Sequence, residues 1–559
     1  MIKSMCKDFM LNKVIPKNDQ IEALDNGVTV SLIREAGKLG LLGSDIPEEY
    51  GGEEADKITT LLITEHVSGS GSFATAFGAH TGIGTLPIVF FGTEQQKRKY
   101  LPDLVTGKKI AAYALTEPEA GSDALNSKTK AVLSEDGRYY ILNGTKQFIT
   151  NAAWAEVIIT YAKIDGEKFS AFIVDADSEG VSLDAEEKKM GIKGSSTRSV
   201  IFENVKIPVE NLLWKEGKGH QVAFNILNIG RFKLGAGCVG GGKKGIELSA
   251  DYALQRIQFK QPIAQFNIIK NKIAQMAILT YMMESLIYRL GGLIEEKLGE
   301  LKAAGGDSSE VVAAIQEYAI ECSIAKVFCS EALDYIADEA VQIHGGYGYV
   351  QEYAVEQAYR DSRINRIFEG TNEINRMLIP GTLLRKALKG ELPFMEAIAS
   401  LGSELSKAKQ AQIPSSSPER EEFYLSNMKT LFVLAAGNAA QSFGEKMADE
   451  QEVLGRLADM AMEIFAAESG LLRARKMLST GKEDSRLALL MTQCFINEMI
   501  PKMEMWAREI IAGSLEEEAS AKALAGVRLL AGYQPINTYA PKREIAGAIY
   551  DKRGYFLER

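Results

Sequence analysis

Residues 157–174 read Val157-Ile-Ile-Thr-Tyr-Ala-Lys-Ile-Asp-Gly-Glu-Lys-Phe-Ser-Ala-Phe-Ile-Val174, and this stretch decides the fold class. Both of its halves are rich in β-branched and aromatic residues, and the Asp-Gly pair between them is typical of a tight hairpin turn. Two further β-rich runs, Tyr139–Thr145 and Ser199–Ile207, lie to either side. We therefore predict a mainly antiparallel β domain within the chain.

Helical patterns surround this β region. Apolar residues recur at helical spacing in Val28–Leu42, Pro47–Gly52 interrupts the pattern, and Thr93 is a candidate N-cap for a later helix. Strands and helices do not alternate, which argues against a parallel Rossmann sheet. The predicted fold is mainly α with a central β domain, in four parts: an N-terminal helical domain (1–110), a middle β domain (111–218), a helical bundle (219–389) and an extra C-terminal helical domain (390–559).

Composition narrows the function classes. The net charge of −10 over 559 residues argues against nucleic-acid binding, which requires a basic surface. Five scattered cysteines and four isolated histidines offer neither a disulfide framework nor a ligand cluster, so we expect no metal and a reducing, cytoplasmic location. The N-terminus lacks the apolar core of a signal peptide, and no run of about 18 apolar residues predicts a transmembrane segment.

Two segments, Asn271–Arg289 and Gly455–Arg473, resemble one another at a constant offset of 184 residues. The matched pairs are Ala274/Ala458, Met276/Met460, Ala277/Ala461, Glu284/Glu468, Ser285/Ser469 and Arg289/Arg473. Amphipathic helices of Ala, Met and Leu often look alike, and that alternative stays open. The pairs nevertheless favour the interpretation that the C-terminal domain is a decayed copy of the preceding bundle.

Residues Gly235–Gly240 satisfy the G-x-G-x-x-G pattern of dinucleotide-binding folds. That pattern carries weight only between a strand and a helix. Here helical sequence both precedes and follows it. We therefore interpret these glycines as small residues where two helices approach closely.

Four segments carry residues suited to chemistry. The first, Tyr113-Ala-Leu-Thr-Glu-Pro-Glu-Ala-Gly-Ser-Asp123, is an irregular loop whose backbone N–H groups and hydroxyls can approach a flat polar ring. The second, Lys146-Gln-Phe-Ile-Thr-Asn151, places an aromatic ring and a hydroxyl on one side of an extended chain. Taken alone, the first is equally a capped turn and the second an ordinary strand end.

The third segment combines Arg256-Ile-Gln-Phe259 with Gln342-Ile-His-Gly-Gly-Tyr-Gly348. An arginine can pair with a pyrophosphate, and adjacent glycines let the backbone approach a ligand. A surface ion pair and a turn between helices explain either piece alone. The fourth segment, Arg363-Ile-Asn-Arg-Ile-Phe-Glu-Gly-Thr-Asn-Glu373, places Glu369 beside a glycine and ahead of a Thr-capped helix. Alone, Glu369 is equally a solvated surface carboxylate.

In this order the four segments resemble the acyl-CoA dehydrogenase family, and Ile226–Phe232 with the C-terminal extension resembles its very-long-chain branch. The resemblance spans essentially the whole chain and implies α, β and α domains that hold FAD at their junction, with Glu369 as catalytic base. The implied FAD contacts are Tyr113, Leu115, Thr116, Gly121, Ser122, Phe148, Ile149, Thr150, Arg256, Phe259, Asn267 (where relatives often have Gln), Gln342, Ile343, His344, Gly345, Gly346, Thr371, Asn372 and Glu373. The implied substrate contacts are Ser122, Asn228, Arg231 and Gly370.

The resemblance also implies a mechanism and an electron acceptor. Glu369 removes the α-proton of a fatty acyl-CoA while the β-hydrogen leaves as hydride to FAD, giving a trans-2-enoyl-CoA. Burial beside an apolar acyl chain is expected to raise the pKa of this carboxyl above about 4.3. Electrons then pass to an electron-transferring flavoprotein.

Some relatives carry the base on the helix that here contains Asn228–Arg231. Gly230 occupies that alternative position and cannot act as a base, which strengthens the assignment of Glu369. Arg231 is a candidate for binding the CoA phosphates, although an ion pair within the bundle explains it nearly as well.

The resemblance further implies a homodimer, because the family's FAD site borrows residues matching Gln342–Gly346 from a neighbouring subunit. Residues 390–559 would then cover the face through which ordinary members pair their dimers. The sequence leaves two other functions open: an acyl-CoA oxidase that uses oxygen, and a non-catalytic assembly protein on the same scaffold.

Overall fold

The computed structural model describes residues 1–25, 27–304 and 308–557, in the predicted order of helical, β and helical regions. The chain begins with helices α1 (Ile2–Phe9), α2 (Asn18–Glu22), α3 (Val28–Lys38), α4 (Lys57–Val67), α5 (Gly71–Gly78), α6 (Leu86–Phe91) and α7 (Glu94–Val105). Their start signals are local. The Asp56 side chain accepts from the backbone N–H of Thr59 at 2.6 Å, and Thr93 forms a reciprocal capping box with Gln96. The predicted cap at Thr93 is confirmed.

The β region forms one twisted, mainly antiparallel sheet, as predicted. Its strands are β1 (Ala111–Ala114), β2 (Lys130–Leu133), β3 (Tyr139–Thr150), β4 (Val157–Ile164), β5 (Lys168–Asp175), β6 (Val181–Leu183), β7 (Thr197–Pro208) and β8 (Leu212–Leu213). The order is β6-β7-β3-β2-β4-β5-β8, and β1 pairs with β4. Only the β1–β4 and β2–β4 pairings are parallel among the described strands.

Residues 157–174 form the β4–β5 hairpin. Its register runs from Val157 opposite Asp175 to Ile164 opposite Lys168. Asp165 and Gly166 lie between the strands with φ values of 53° and 80°. Positive φ at both turn residues is the geometry that matches the right-handed twist of the flanking strands. The Asp-Gly signal therefore located this hairpin.

Strands β4 and β5 are buried on both faces of the sheet. Along β4, Val157, Ile159 and Tyr161 join a core that also contains residues of α6, α7 and the start of the next long helix. The intervening Ile158 and Ala162 join a second core on the opposite face. A strand buried on both sides reads as a nearly continuous apolar run, which explains the composition of this segment.

The remainder of the chain is helical apart from a small hairpin, β9 (Ile257–Gln258) and β10 (Gln261–Pro262). Its helices are α8 (Gly219–Gln255), α9 (Asn267–Ala303), α10 (Ser308–Glu317), α11 (Ala319–His344), α12 (Ala354–Ser362), α13 (Asn372–Leu388), α14 (Phe394–Gln410), α15 (Glu419–Phe443), α16 (Gln451–Ser479), α17 (Ser485–Ser514), α18 (Glu517–Leu530) and α19 (Tyr539–Lys552). The Gly235–Gly240 pattern lies inside α8, so it is not a dinucleotide loop. A Cβ atom on Gly240 would collide with the backbone of Glu65, which confirms a close approach of helices.

The chain divides into two compact units. The first comprises residues 1–241, 290–322 and 360–369, and the second comprises residues 242–289, 323–359 and 370–559. The sheet and Glu369 belong to the first unit. The predicted division into four domains remains a prediction.

One helical stretch, Gly71–Phe91, is long and apolar enough to cross a membrane by length and composition. However, 72% of its most apolar window is buried inside the protein. A core helix of a soluble protein passes the same test, so this stretch is weak evidence for a membrane span.

Helices α9 and α16 contact each other through reciprocal pairs. Arg473 donates to Glu284 at 2.6 Å, and Arg289 lies 2.8 Å from Glu468. The guanidinium of Arg473 lies 5.0 Å from the ring of Tyr281, and that of Arg289 lies 4.8 Å from the ring of Phe465. Arg289 and Arg473 are counterparts at the 184-residue offset, as are Glu284 and Glu468. The arginine of each helix thus contacts the glutamate of the other helix, as in a two-fold symmetric interface. This exchange supports the interpretation of the C-terminal segment as a copy of the bundle.

Candidate active site

Glu369 lies in a tight reversal of the chain between a 3-10 turn, Arg363–Arg366, and helix α13. Its φ is 60°, and that of Gly370 is 79°. A non-glycine residue in the left-handed region is uncommon and concentrates at functional sites. The reversal ends where the Thr371 hydroxyl accepts from the backbone N–H of Ile374 at 3.2 Å, which confirms the predicted Thr cap.

The carboxylate of Glu369 occupies space that α8 leaves open at Gly230. A Cβ atom on Gly230 would lie 2.5 Å from Oε2 and 2.9 Å from Oε1 of Glu369. Real Cβ contacts are essentially never this short. The absence of a side chain at Gly230 therefore has a steric role, because it makes room for the carboxylate of Glu369.

Arg231 holds the backbone of Glu369. Its Nε donates to the carbonyl oxygen of Glu369 at 3.0 Å, and Nη1 donates to Oδ1 of Asn228 at 3.0 Å. Arg231 is only 5% exposed, and burial lowers the pKa of its guanidinium, an effect that the charge of Glu369 opposes. These internal contacts of Arg231 and Asn228 support a role within the bundle rather than one in binding CoA phosphates.

Tyr113 is buried on β1 near Glu369. Burial raises the pKa of Tyr113 well above its ordinary value, and the neighbouring Tyr161 and Glu369 raise it further. The rings of Tyr113 and Tyr161 meet edge to face, with centroids 5.3 Å apart. The Tyr113 ring therefore forms part of the apolar surroundings of the Glu369 carboxylate.

The two segments predicted to contact the flavin are joined by their backbones. The N–H of Gln147 donates to the carbonyl of Thr116 at 2.9 Å. Phe148 has a φ of 59° and interrupts the β3–β7 register, and the residue is 58% exposed. Residues at this point form a bulge in the β3–β7 pairing, and the expectation that Phe148 and Thr150 project to the same side stays a prediction. Leu115 and Ile149 are buried, whereas Gly121 and Ser122 are exposed.

A buried ion pair that sequence reasoning missed supports these segments. Nζ of Lys146 lies 2.8 Å from Oε1 of Glu117 and donates to the carbonyl of Leu115 at 3.2 Å. Burial lowers the pKa of Lys146 to about 8, and Glu117 limits the fall. Burial would raise the pKa of Glu117, but Lys146 and hydrogen bonds from Thr129 and Lys128 lower it below its ordinary value. The signal that the sequence offered for this ion pair was the opposite charge of Glu117 and Lys146, which lie in the two segments predicted to contact the flavin.

The second unit carries the other predicted FAD residues. The guanidinium of Arg256 lies 5.3 Å from the centre of the Tyr347 ring. Phe259 and Lys260 form the turn of the β9–β10 hairpin with φ values of 51° and 66°, and Phe259 is 87% exposed. Asn267 is exposed at the first position of α9.

The predicted segment Gln342–Gly346 spans the end of α11. Gln342, Gly345 and Gly346 are exposed, and a Cβ atom on either glycine would meet nothing within 4 Å. Ile343 and His344 are buried, and the His344 ring stacks on Tyr252 with centroids 4.2 Å apart. The exposed backbone of this segment is thus open to a ligand, while its two buried side chains anchor it.

The peptide after Glu369 is held by a lysine that sequence reasoning also missed. Nζ of Lys326 donates to the carbonyl of Gly370 at 2.8 Å and to Oδ1 of Asn372 at 2.7 Å. Asn375 donates to the same carbonyl of Gly370 at 2.8 Å. Asn372 is buried, so its side chain serves these internal bonds, whereas Glu373 is exposed.

These residues fit FAD as a cofactor. In the first unit, the exposed Phe148 suits a flat aromatic ligand. In the second unit, considered by itself, Phe259 is exposed and the cation of Arg256 suits a pyrophosphate. The open backbone at Gly345 and Gly346 lets such a ligand approach closely. The structure therefore offers the donor types that the cofactor requires.

Comparison with known proteins agrees with this geometry. Acyl-CoA dehydrogenase family models match residues 1–108 (N-terminal domain), 112–205 (middle domain), 217–384 (C-terminal domain) and 427–528 (a further C-terminal domain). A probable acyl-CoA dehydrogenase of Bacillus subtilis (strain 168) is 51% identical over 557 residues, covering 99% of this chain and 94% of its own.

Two further relatives are informative. A very long-chain specific mitochondrial acyl-CoA dehydrogenase of Macaca fascicularis is 35% identical, covering 83% of this chain and 72% of its own. The crystal structure of an acyl-CoA dehydrogenase complexed with FAD from Bacillus anthracis has a TM-score of 0.97 and 50% identity, covering 100% of this chain and 95% of that one. The chain therefore belongs to the acyl-CoA dehydrogenase family of FAD-dependent enzymes.

Proposed function

We propose that this enzyme introduces the trans-2 double bond into fatty acyl-CoA thioesters during β-oxidation, with Glu369 as the base. One observation carries the proposal: the Glu369 carboxylate lies over Gly230, while Arg231 holds its backbone carbonyl. The glycine leaves room on α8 for a carboxylate that comes from the segment before α13. Since Gly230 has no side chain, α8 itself provides no carboxylate at this position.

The residues of the chain then divide the work. The Glu369 carboxylate accepts the α-proton of the thioester, and Arg231 and the left-handed backbone hold it in one orientation. The buried Tyr113 lowers the polarity around the carboxylate, which favours proton uptake. Thr116, Ser122, Phe148, Thr150 and Arg256 hold the cofactor. When bound, FAD accepts the β-hydrogen with its electron pair, so a trans-2-enoyl-CoA is released.

The proposal includes partners and location. An electron-transferring flavoprotein takes the electrons, the enzyme works as a homodimer without a membrane span, and its location is the cytoplasm. Support for the dimer comes from the exposed Phe259 and Gly345–Gly346, which suit a cofactor shared between subunits. The reciprocal α9–α16 contact supports a dimer as the final assembly.

The test is anaerobic titration with acyl-CoAs of graded chain length, monitored by bleaching of the flavin spectrum. Wild-type enzyme is expected to bleach, and Glu369→Gln to bind FAD and acyl-CoA without bleaching, because an amide cannot accept the proton. Glu391→Gln, which neutralises an exposed carboxylate, is the matched control. Normal bleaching by Glu369→Gln would contradict the assignment, and rapid reoxidation of the reduced enzyme by air would indicate an oxidase.

A further inference from the structure

Helix α16 of the C-terminal segment carries a carboxylate that contacts the helix following the base. Oδ1 of Asp459 accepts a hydrogen bond from Nε of Arg376 at 2.9 Å, and Arg376 lies on α13. The side chains are only 20% exposed for Arg376 and 14% for Asp459. An ion pair so shielded is weakly screened by salt, so it joins the two helices firmly.

Glu331 of α11 holds the other edge of the same guanidinium. Nη1 and Nη2 of Arg376 donate to its two carboxylate oxygens at 2.7 and 2.8 Å. This bidentate geometry fixes the plane of the guanidinium. Burial alone would lower the pKa of Arg376, but hydrogen bonds and charges from Glu331 and Asp459 raise it above its ordinary value. The arginine therefore has two anionic partners that fix its position and its plane.

The network continues from Glu331 to the peptide that follows the base. Nδ2 of Asn372 donates to Oε1 of Glu331 at 3.0 Å, and its Oδ1 accepts from Lys326 at 2.7 Å. Lys326 also donates to the carbonyl of Gly370 at 2.8 Å. Gly370 is bonded directly to Glu369. The direction of the base thus depends on how this carbonyl is held.

We propose that Asp459 is a positioning residue for the catalytic base, so that the C-terminal segment takes part in the reaction. The inference rests on the proposed role of Glu369. Loss of the Asp459 charge leaves Glu331 as the anionic partner of Arg376 and weakens the hydrogen bond at the other edge of the guanidinium, so that Arg376 and Glu331 can rotate together. The carboxylate of Glu331, which accepts the hydrogen bond from Asn372, is then no longer held in one position. The hydrogen bonds from Lys326 to Asn372 and to the carbonyl of Gly370 weaken in turn. A connected polar network loses more than one bond when a member is removed.

The test uses Asp459→Asn, which keeps the shape of the side chain and removes its charge. The rate of anaerobic flavin bleaching is expected to fall about tenfold. This is less than the loss of about a hundredfold that a misplacement of 1 Å can cause, because the base is loosened rather than displaced. FAD content, subunit assembly and KM are expected to stay unchanged. Hydrogen exchange of the amides of residues 369–375 is expected to rise even in FAD-free protein. Asp459→Glu restores the charge and most of the rate.

Glu422→Gln is the matched control. It neutralises a carboxylate of the same segment that pairs with Arg475 of α16, and it has no bond to α13 among the described contacts. It is expected to leave bleaching and amide exchange at wild-type values. If Asp459→Asn is not obtained as folded protein, Arg376→Lys serves instead, because lysine keeps the charge but cannot bridge both carboxylates. Slow bleaching by that variant is the expected result.

Unchanged bleaching and amide exchange in Asp459→Asn would overturn the inference. An equal loss in Glu422→Gln would overturn it too, as would a loss explained by lower FAD content. The variant Glu369→Gln distinguishes failure of the proposed function from failure of this inference. Normal bleaching by Glu369→Gln would contradict the assignment of Glu369 as the base. No bleaching by Glu369→Gln together with normal bleaching by Asp459→Asn would contradict only the role of Asp459.

Discussion

Gly230 and Glu369 share one space, because a Cβ atom on the glycine would lie 2.5 Å from the carboxylate oxygen Oε2. A side chain at position 230 and the carboxylate of Glu369 cannot both fill this position. In this chain the occupant comes from the segment after α12. The relationship makes the glycine as necessary to the site as the carboxylate.

Gly230→Ala is therefore expected to displace the carboxylate without affecting cofactor binding. Flavin bleaching should slow about a hundredfold, since a shift of about 1 Å has that effect on a reacting group. Stopped-flow spectroscopy of fully flavinated enzyme measures the rate. Gly237→Ala on the same helix is the control, because its Cβ atom meets nothing within 4 Å. Equal rates in the two variants would rule out this steric argument.

Arg231→Lys should slow the reaction while FAD stays bound. A lysine cannot donate to both the Glu369 carbonyl and Asn228 in the planar geometry of a guanidinium. Loss of one charged hydrogen bond, about 2 kcal/mol, corresponds to about a thirtyfold slower bleaching rate. A selective rise of KM for substrates with an intact CoA phosphate would instead indicate direct CoA binding.

Glu117→Gln should make the protein less stable at neutral pH and less sensitive to acid. The variant leaves Lys146 as a buried charge without its anion, a loss of about 3–5 kcal/mol. Because the pKa of Glu117 is lowered in the folded state, its stabilising effect is present above the ordinary value of 4.5 and is lost as the pH falls below it. Chemical unfolding across this pH range, with the exposed Glu135→Gln as control, measures the difference. Parallel acid profiles for wild type and Glu117→Gln would exclude this contribution.

Arg256→Ala should weaken FAD retention more than it alters the chemistry of the loaded enzyme. Removing a charged hydrogen bond costs about 1.5–3 kcal/mol, or about ten- to a hundredfold in the dissociation constant. The ratio of flavin to protein absorbance after gel filtration reports retention, and bleaching of the loaded fraction reports chemistry. Full flavin content with lost bleaching would contradict a role on the pyrophosphate.

Removal of residues after Gly390 should change assembly. Tyr281 and Met282 are fully buried, and Tyr281 donates to the carbonyl of Gly470 at 2.7 Å. Without α16, this part of α9 becomes an apolar patch that favours association. Light scattering is expected to give a dimer for the full chain, and tetramers or aggregates for the shortened one. A well-behaved shortened dimer would argue against the covering role.

Local signals in the sequence predicted much of the fold. The Asp165-Gly166 turn, the Thr93 and Thr371 caps and the glycines of α8 each depend on a few neighbouring residues. Gly230, in contrast, was identified through the resemblance to the acyl-CoA dehydrogenase family, and its close approach to Glu369 is visible only in the structure. The matched residues at an offset of 184 were also visible in the sequence, whereas the contacts between them were not.

Other features depend on distant parts of the chain. Phe148 lies at a bulge that arises from the pairing of β3 with β7, and no pattern within its own segment indicates that irregularity. Lys146 and Glu117 appear as ordinary polar residues until the sheet buries both. Asp459 meets Arg376 across 83 positions of sequence, and nothing in either neighbourhood indicates the contact.

The α9–α16 contact has a further consequence, since its two sides belong to one polypeptide. Association within a chain does not weaken on dilution, whereas contact between separate subunits does. In a symmetric homo-oligomer every substitution alters both halves of the interface at once. Here each half accumulates changes alone, and Tyr281 already faces one arginine where Phe465 faces the other. A tethered copy can thus lose its own catalytic motifs while it keeps the surface that its twin requires.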